Sequence, residues 1–493
     1  MQHVTPILSK PQGSEKVRSV FGYILALAIV SVGFILFKFL GIVAGVAMIG
    51  IPVAALVLSI IWKKPAIAVY ATIAISFFTA GLSRYVSAPW GLSVDILLAL
   101  AWMAVLINKE IRVDWSLLKN NLVKVTVIWY VYIILQIVNP SSNGPIAWFY
   151  AMRSIGFYQV LTIPLVFLFF REEKHLTKFI NTIIWLSLIG TLWGFKQQLF
   201  GIDAAEYRWL YDQNNAKQHI LHGVLRVFSF YSDAGAFGAS QAMMSLMCAI
   251  LFLGPFSQKH KLKYLIFAFI FLIGFSISGT RGALAVPLGG GIAYLILSKN
   301  FKVLTAGSIA MIAVFVFLKY TFLFQGVEQV RRMRTALDPN NASLNVRLTN
   351  QKIFASYLAD KPFGGGVGTA GFWGSRFNPD SLMGNTPTDS WYTKIWAETG
   401  IIGFTFHIMI VGFILGSAGF KIMQMKIPRN KAYGQAMIAM FAGALLASYG
   451  NQVLIHMPTC IILNFALPFI WLIDERDKKE YKEQVITENS SSK

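Results

Sequence analysis

The sequence predicts an all-helical, polytopic membrane protein. Hydrophobic residues make up 56% of the chain and charged residues only 13%, against the roughly 25% charged residues of a soluble domain. The mean hydropathy is +0.59. The apolar residues also gather in runs of about 20, the length that crosses a bilayer's hydrocarbon core, with short polar loops between them.

Taken in order, residues 1–20 form a polar tail with Lys10, Lys16 and Arg18. The apolar run that follows is too long for a signal-peptide core and has no evident cleavage site, so it reads as a signal anchor. The expected spans are Phe21–Leu40, Ile42–Trp62, Ala66–Leu82, Val94–Ile107, Leu122–Val138, Gly156–Phe170 and Phe179–Phe200. They continue with Ala236–Gly254, Leu265–Ser278, Ala283–Leu297, Val303–Phe324, Ile401–Phe420, Ala432–Tyr449 and Pro458–Ile473. That makes about 14 spans, or about 12 if close neighbours merge. Residues 21–220 form an N-terminal bundle, and 221–473 a second membrane region holding a long loop, 325–400. The mixed-charge tail 474–493 is expected to be disordered or a frayed helix.

Lysines and arginines in short loops set the orientation. With the N-terminus inside, the cytoplasmic loops carry Lys63 and Lys64, Lys109 and Arg112, Arg171 and Lys174, and the Lys259-His260-Lys261-Leu262-Lys263 run. The opposite short loops hold only single arginines such as Arg84, Arg153 and Arg281. Both termini are then cytoplasmic, and the loops 201–235 and 325–400 lie outside. The formal net charge of +21 is what this bias produces, and no nucleic-acid signature accompanies it. Cys248 and Cys460 sit in apolar runs without a CxxC partner, so neither a metal site nor a disulfide framework is expected.

The loop 325–400 is a polar island. It opens with Arg331, Arg332 and Arg334, forms a helix over Ser343–Asp360 that Pro362 stops, and turns through Gly364-Gly365-Gly366-Val367-Gly368. Arg347 falls in the first turn of that amphipathic helix. The glycine run lacks the Lys-Ser/Thr of a P-loop and reads as a flexible turn.

Four outward stretches carry the candidate chemistry: Leu225–Gly235 with Arg226, Ser278–Ala283 with Arg281, Arg347, and Asp389–Gly400. An arginine fork donates two parallel hydrogen bonds and stays charged when partly desolvated, so converging arginines suit a diphosphate. Each arginine taken alone equally fits an interfacial anchor. Asp389 is placed to act as a general base toward a hydroxyl, or to cap the helix that follows. Trp391, Tyr392 and Trp396 are read as sugar platforms or as belt residues, and Glu398 as a structural or supporting contact. His219, His222 and His456 also face outward; His222, four residues before Arg226, is a candidate contact or a solvated loop histidine.

The segment Asp389-Ser390-Trp391-Tyr392-Thr393-Lys394-Ile395-Trp396-Ala397-Glu398-Thr399-Gly400-Ile401-Ile402-Gly403 resembles the closing motif of the O-antigen ligase/polymerase superfamily. There a His or Asp is followed by Asn, an aromatic, Glu-x-Gly and a further Gly. The Gly364–Gly368 turn is similar to the family's Gly-x-Gly element, and Arg347 to the arginine ahead of it. Ser278-Gly279-Thr280-Arg281-Gly282-Ala283 resembles its Ser-x-Ser-Arg-Gly-Ala box, with Thr280 for the second Ser. Arg226 with Phe228 and Gly235 is a looser copy of its Arg-x-x-Gly-x-Phe stretch. The resemblance covers roughly residues 220–405.

What this resemblance implies is a GT-C-like helical bundle in a bacterial inner membrane, with its active site on the extracytoplasmic face. The expected activity is a metal-independent glycosyltransferase without cofactor. It would use an undecaprenyl-diphosphate-linked glycan donor and a glycan acceptor, with a chain-length regulator and a flippase as further partners and no nucleic acid. Arg226, Arg281 and Arg347 would hold the diphosphate and Asp389 would activate or orient the acceptor, with Tyr392, Glu398 and His222 in supporting or substrate contact. Family ligases carry His where this chain has Asp389, which favours a polymerase. The alternatives are a ligase acting on lipid A core or protein, and a transporter of the same lipid-linked glycan.

Overall fold

The computed structural model of the protein describes residues 42–221, 223–338 and 342–491. The N-terminal tail, the expected span Phe21–Leu40 and His222 lie outside the described residues. The chain divides into two compact units, residues 1–65 and 66–493. The first contains helix α1, Ile42–Lys63, whose apolar side chains from Ile51 onward are mostly exposed.

The second unit is helical almost throughout. Its helices begin with α2 (Ala66–Tyr85), the shorter α3 (Gly91–Ile107), α4 (Asn121–Val138), α5 (Pro145–Phe169) and α6 (Glu173–Leu199). A loop helix α7 (Ala204–Tyr211) and a two-residue hairpin, β1 (Ile220–Leu221) with β2 (Val224–Leu225), precede α8 (Ala234–Leu253) and α9 (Gln258–Ile277). Next are α10 (Arg281–Ser298) and α11 (Phe301–Tyr320). The island supplies α12 (Glu328–Arg334), α13 (Ala342–Tyr357) and α14 (Gly371–Phe377), and the chain ends with α15 (Trp391–Gln424), α16 (Pro428–Ala447) and α17 (Thr459–Ser491).

Among the described residues nine of these helices are long and apolar enough to cross a membrane: α2, α4, α5, α6, α8, α9, α10, α11 and α15. Helices also form at the other expected positions among the described residues. There α3 is short, α16 opens on Arg429, Asn430 and Lys431, and α17 turns charged after Ile473. The protein is therefore a multi-pass, all-helical membrane protein, and among the described residues nine helices meet the length and hydropathy of a full span.

At the centre α8 packs along α9 and α16, and α16 along α10 and α17. Lipid tails are as apolar as leucine, so helix association here depends on close van der Waals contact between small residues. A Cβ on Gly290 would stand 2.3 Å from the Ala439 carbonyl oxygen, and one on Gly443 would stand 2.5 Å from that of Val286. These two glycines let α10 and α16 touch backbone to backbone. By contrast, α11 exposes most of its apolar side chains, as a lipid-facing helix does.

Two expectations change. The tail from Asp474 is not disordered but continues α17 to Ser491. Asp474 pairs with Lys421 at 2.7 Å and Lys478 at 2.9 Å, and Asp477 accepts the Lys426 and Ile427 amides at 2.8 and 3.0 Å, fastening α17 to the turn between α15 and α16. The glycine turn is buried and pinned, not flexible. Gly400 (φ 66°, ψ −172°) breaks α15, and the Gly365 and Gly366 amides satisfy the Ala397 and Glu398 carbonyls at 2.9 Å each. Gly364 (φ +78°) approaches so closely that a Cβ on it would meet the Gly400 nitrogen at 2.3 Å. Only glycine supplies both the left-handed backbone and the clearance.

Candidate functional site

A cavity of about 1700 Å³ opens where the segments around Arg226, Arg281, Arg332, Arg347 and Asp389 meet the α16–α17 connection. Each residue reaches it through a different local structure.

Arg226 follows the β1–β2 hairpin, in a loop that is held from beneath. Arg84, at the end of α2, donates to the Ser229 carbonyl at 2.5 Å and to that of Tyr231, and lies 4.2 Å from the Trp209 ring. Buried Glu206 accepts from Lys196, Trp193 and Gln197, and caps α7 together with Asp203. These bonds occupy the loop's polar groups and fix its path. The Arg226 guanidinium donates to the Gln218 carbonyl and to Thr280 Oγ1, both at 2.9 Å, and its Nε has no hydrogen-bond partner among the described residues. Thr280 in turn donates to the Ala234 carbonyl at 2.8 Å, which joins the Arg226 loop to the Ser278–Ala283 turn.

Arg281 opens α10 just after Gly279 and donates to Thr335 Oγ1 at 3.0 Å. Arg332 on α12 packs over Gly279, where a Cβ would stand 2.9 Å from its NH1. Arg347 is the sixth residue of α13, in its second turn and not the first. It donates to the Gly450 carbonyl at 2.8 Å, and its Nε lies 3.9 Å from Asp389 Oδ2. Asp389 does not cap α15: the N-cap is Ser390, and the Asp389 side chain stays 46% exposed at the cavity wall.

The guanidiniums crowd one another. Burial first, then the Arg332 charge and that of Arg281 against an opposing Asp233, bring the Arg226 pKa down to about 10. Arg332 is lowered as well, by burial, with Glu328 opposing. An anion entering this cavity would relieve that crowding. Among the described residues no three His, Cys, Asp or Glu side chains gather to hold a metal ion.

The structure does not bring Tyr392, Glu398, Trp391 or Trp396 to the cavity. Tyr392 donates to the Leu445 carbonyl at 2.9 Å, holding α15 to α16. Glu398 is fully buried and pairs with Lys394 at 2.6 Å. Trp391 is buried with its indole N–H on His407 at 3.0 Å, and Trp396 packs on the island's core of Phe354, Leu358, Ala370, Met383 and Ala397. Tyr392 and Glu398 thus spend their polar groups on α16 and on Lys394, away from the cavity wall where Asp389 stands. His219 is likewise buried, edge-on to Trp209 and Phe228.

Sequence reasoning missed Arg332, Asp233, Gln452 and His456 as cavity residues. Arg332 stood in a visible basic cluster, Asp233 inside the Leu225–Gly235 stretch, and His456 was visible as a polar residue between spans; nothing in the pattern marked Gln452. No curated protein matches the chain. Residues 266–408 match a protein-family model described as O-Antigen ligase.

Proposed function

Starting from residues 266–408 as a segment of the O-antigen ligase/polymerase superfamily, we propose that the protein is a polysaccharide polymerase. It takes glycan from a polyprenyl-diphosphate donor and adds it to a sugar hydroxyl of another lipid-linked glycan. The observation that carries this reading is the convergence of Arg226, Arg281 and Arg347, from segments far apart in the chain, with Asp389 on one cavity. Arginine forks suit a diphosphate and stabilise the charge that grows on it as it leaves.

The cavity wall also includes Leu288 on α10 and Leu446 on α16, both exposed apolar side chains. That suits a donor whose chain stays in the bilayer while its diphosphate enters the cavity. In this reading the bundle is GT-C-like, both termini are cytoplasmic and the cavity faces outward. Asp389 deprotonates or orients the acceptor hydroxyl, which attacks the anomeric carbon with inversion and expels the polyprenyl diphosphate. The family model's own description favours a second reading, a ligase that delivers the glycan to lipid A core or protein.

The test incubates purified protein with a synthetic polyprenyl-diphosphate oligosaccharide and follows glycan length on a gel. A ladder lost in Arg281→Ala and Asp389→Ala, with both variants folded, supports the polymerase. Transfer that needs added lipid A core points to the ligase. Substrate crossing liposomes without transfer overturns the enzyme reading in favour of a transporter.

A further inference from the structure

We propose that His456, which lies outside the matched segment, takes the proton from the acceptor hydroxyl, held in place by Ser232 and Asp233. This rests on the transferase reading above. His456 sits in the connection between α16 and α17 and lines the same cavity as Arg226, Arg281, Arg347 and Asp389.

Its Nδ1 lies 3.3 Å from Ser232 Oγ, and that hydroxyl donates to Asp233 Oδ2 at 2.9 Å. The Ser232 proton is thus committed to the carboxylate, which leaves the serine oxygen as an acceptor toward the imidazole. Nδ1 then carries the hydrogen of the neutral ring, and Nε2 carries the lone pair. The carboxylate cannot swing away, because Asp233 Oδ1 caps α8 by accepting the Ala236 amide at 2.9 Å. A carboxylate acting through a hydroxyl on Nδ1 fixes the tautomer and stabilises the imidazolium that forms when Nε2 accepts a proton.

The two candidate proton acceptors differ in their neighbours. Asp389 faces the Arg347 guanidinium at 3.9 Å, a neighbour that holds the carboxylate in place and suits it to orienting the hydroxyl by hydrogen bonding. His456 has a carboxylate behind it. The other charged groups on the cavity wall are Arg226 from the loop before α8, Arg281 from α10, and Glu328, Arg331 and Arg332 from α12. Asp338, after α12, completes the set. A bound diphosphate would set its negative charge among these arginines, on the same cavity as His456.

In the step itself the acceptor oxygen bonds to the anomeric carbon. The carbon–oxygen bond to the diphosphate breaks, and its electron pair leaves with the diphosphate onto the arginines. The hydroxyl proton moves to Nε2, and the imidazolium later returns it to solvent.

The experiment measures initial transfer rates of the full chain with the synthetic polyprenyl-diphosphate oligosaccharide, from about pH 5.5 to about pH 8.5. Donor affinity is measured in parallel. The wild type is expected to show a rate that rises with pH to a plateau, as a step that needs an unprotonated base does. His456→Gln should lose about 100-fold or more in rate and lose that limb, while donor affinity stays within about threefold. His456→Ala should regain rate when imidazole is added, and Ser232→Ala should shift the limb to lower pH. Wild-type transfer with no limb in this range overturns the assignment even if the variants fail to fold. So does a His456→Gln enzyme with the wild-type rate and profile. A wild type that binds the donor but transfers nothing overturns the transferase reading itself.

Discussion

Arg347 Nε and Asp389 Oδ2 stand 3.9 Å apart across the seam between α13 and the start of α15. Neither residue is buried enough to make this a strong ion pair, with side chains 28% and 46% exposed. The pair does more for placement than for stability. It sets the Asp389 carboxylate, at the cavity wall, beside a guanidinium that also grips the Gly450 carbonyl.

Its strength can be measured directly. A double-mutant cycle of Arg347→Ala and Asp389→Ala, read by thermal unfolding, should give a coupling of about 0.5–1 kcal/mol, as exposed pairs do. Asp389→Asn should slow transfer about 10–100-fold while donor affinity holds or tightens slightly, since a negative charge beside the arginines is removed. Donor affinity falling in step with rate would instead place Asp389 in donor binding.

The kink at Gly400 should tolerate no side chain. A Cβ there would lie 2.1 Å from the Pro362 carbonyl oxygen, on a backbone with φ of 66°. Gly400→Ala should cost about 2–4 kcal/mol, visible as a lowered melting temperature in detergent. Gly416→Ala, with nothing within 4 Å, is the control and should leave melting unchanged or slightly raised.

The buried Lys394–Glu398 pair should be sensitive to the loss of one partner. Glu398→Ala leaves the Lys394 ammonium, which also donates to the Ala370 carbonyl at 3.2 Å, without its counter-charge, at a cost of about 3–5 kcal/mol. Replacing both residues with apolar side chains should restore much of that stability. If Glu398→Ala melts like the wild type but abolishes transfer, the residue acts in the chemistry and not in the scaffold.

The loop around Arg226 should loosen in mild acid. Burial, above all, lowers the His219 pKa, with the Arg226 and Arg84 charges adding and the Asn215 carbonyl and Asp233 opposing. The depressed folded pKa means that this contribution is complete above about pH 6.5 and is lost as the pH falls through the folded value. Amide exchange in residues 204–221, corrected for intrinsic rate, should therefore quicken between about pH 7.5 and about pH 5.5. His219→Gln should remove that dependence.

Much of the scaffold was legible without coordinates. Apolar run length located the helices from Ala66 to Ile473, because lipid leaves a spanning chain no option but to satisfy its own backbone. Arginine chemistry marked Arg226, Arg281 and Arg347, and a carboxylate at the start of a helix marked Asp389. Other features depend on contacts between segments that no local pattern encodes. Tyr392, Trp391 and Glu398 share a segment with Asp389, but one helical turn decides which of them face the cavity and which face α16 or the interior. Gly364 looks like a flexible turn residue until the backbones that it and Gly400 let together are seen. Arg332, Asp233 and His456 become neighbours only because α8, α10, α12 and the α16–α17 connection end around one space. The sequence by itself determined what the chain is made to sit in and which side chains could meet a phosphate. Tertiary structure decided which of them do meet, since convergence depends on the packing of distant helices, and periodicity along one helix carries no record of that.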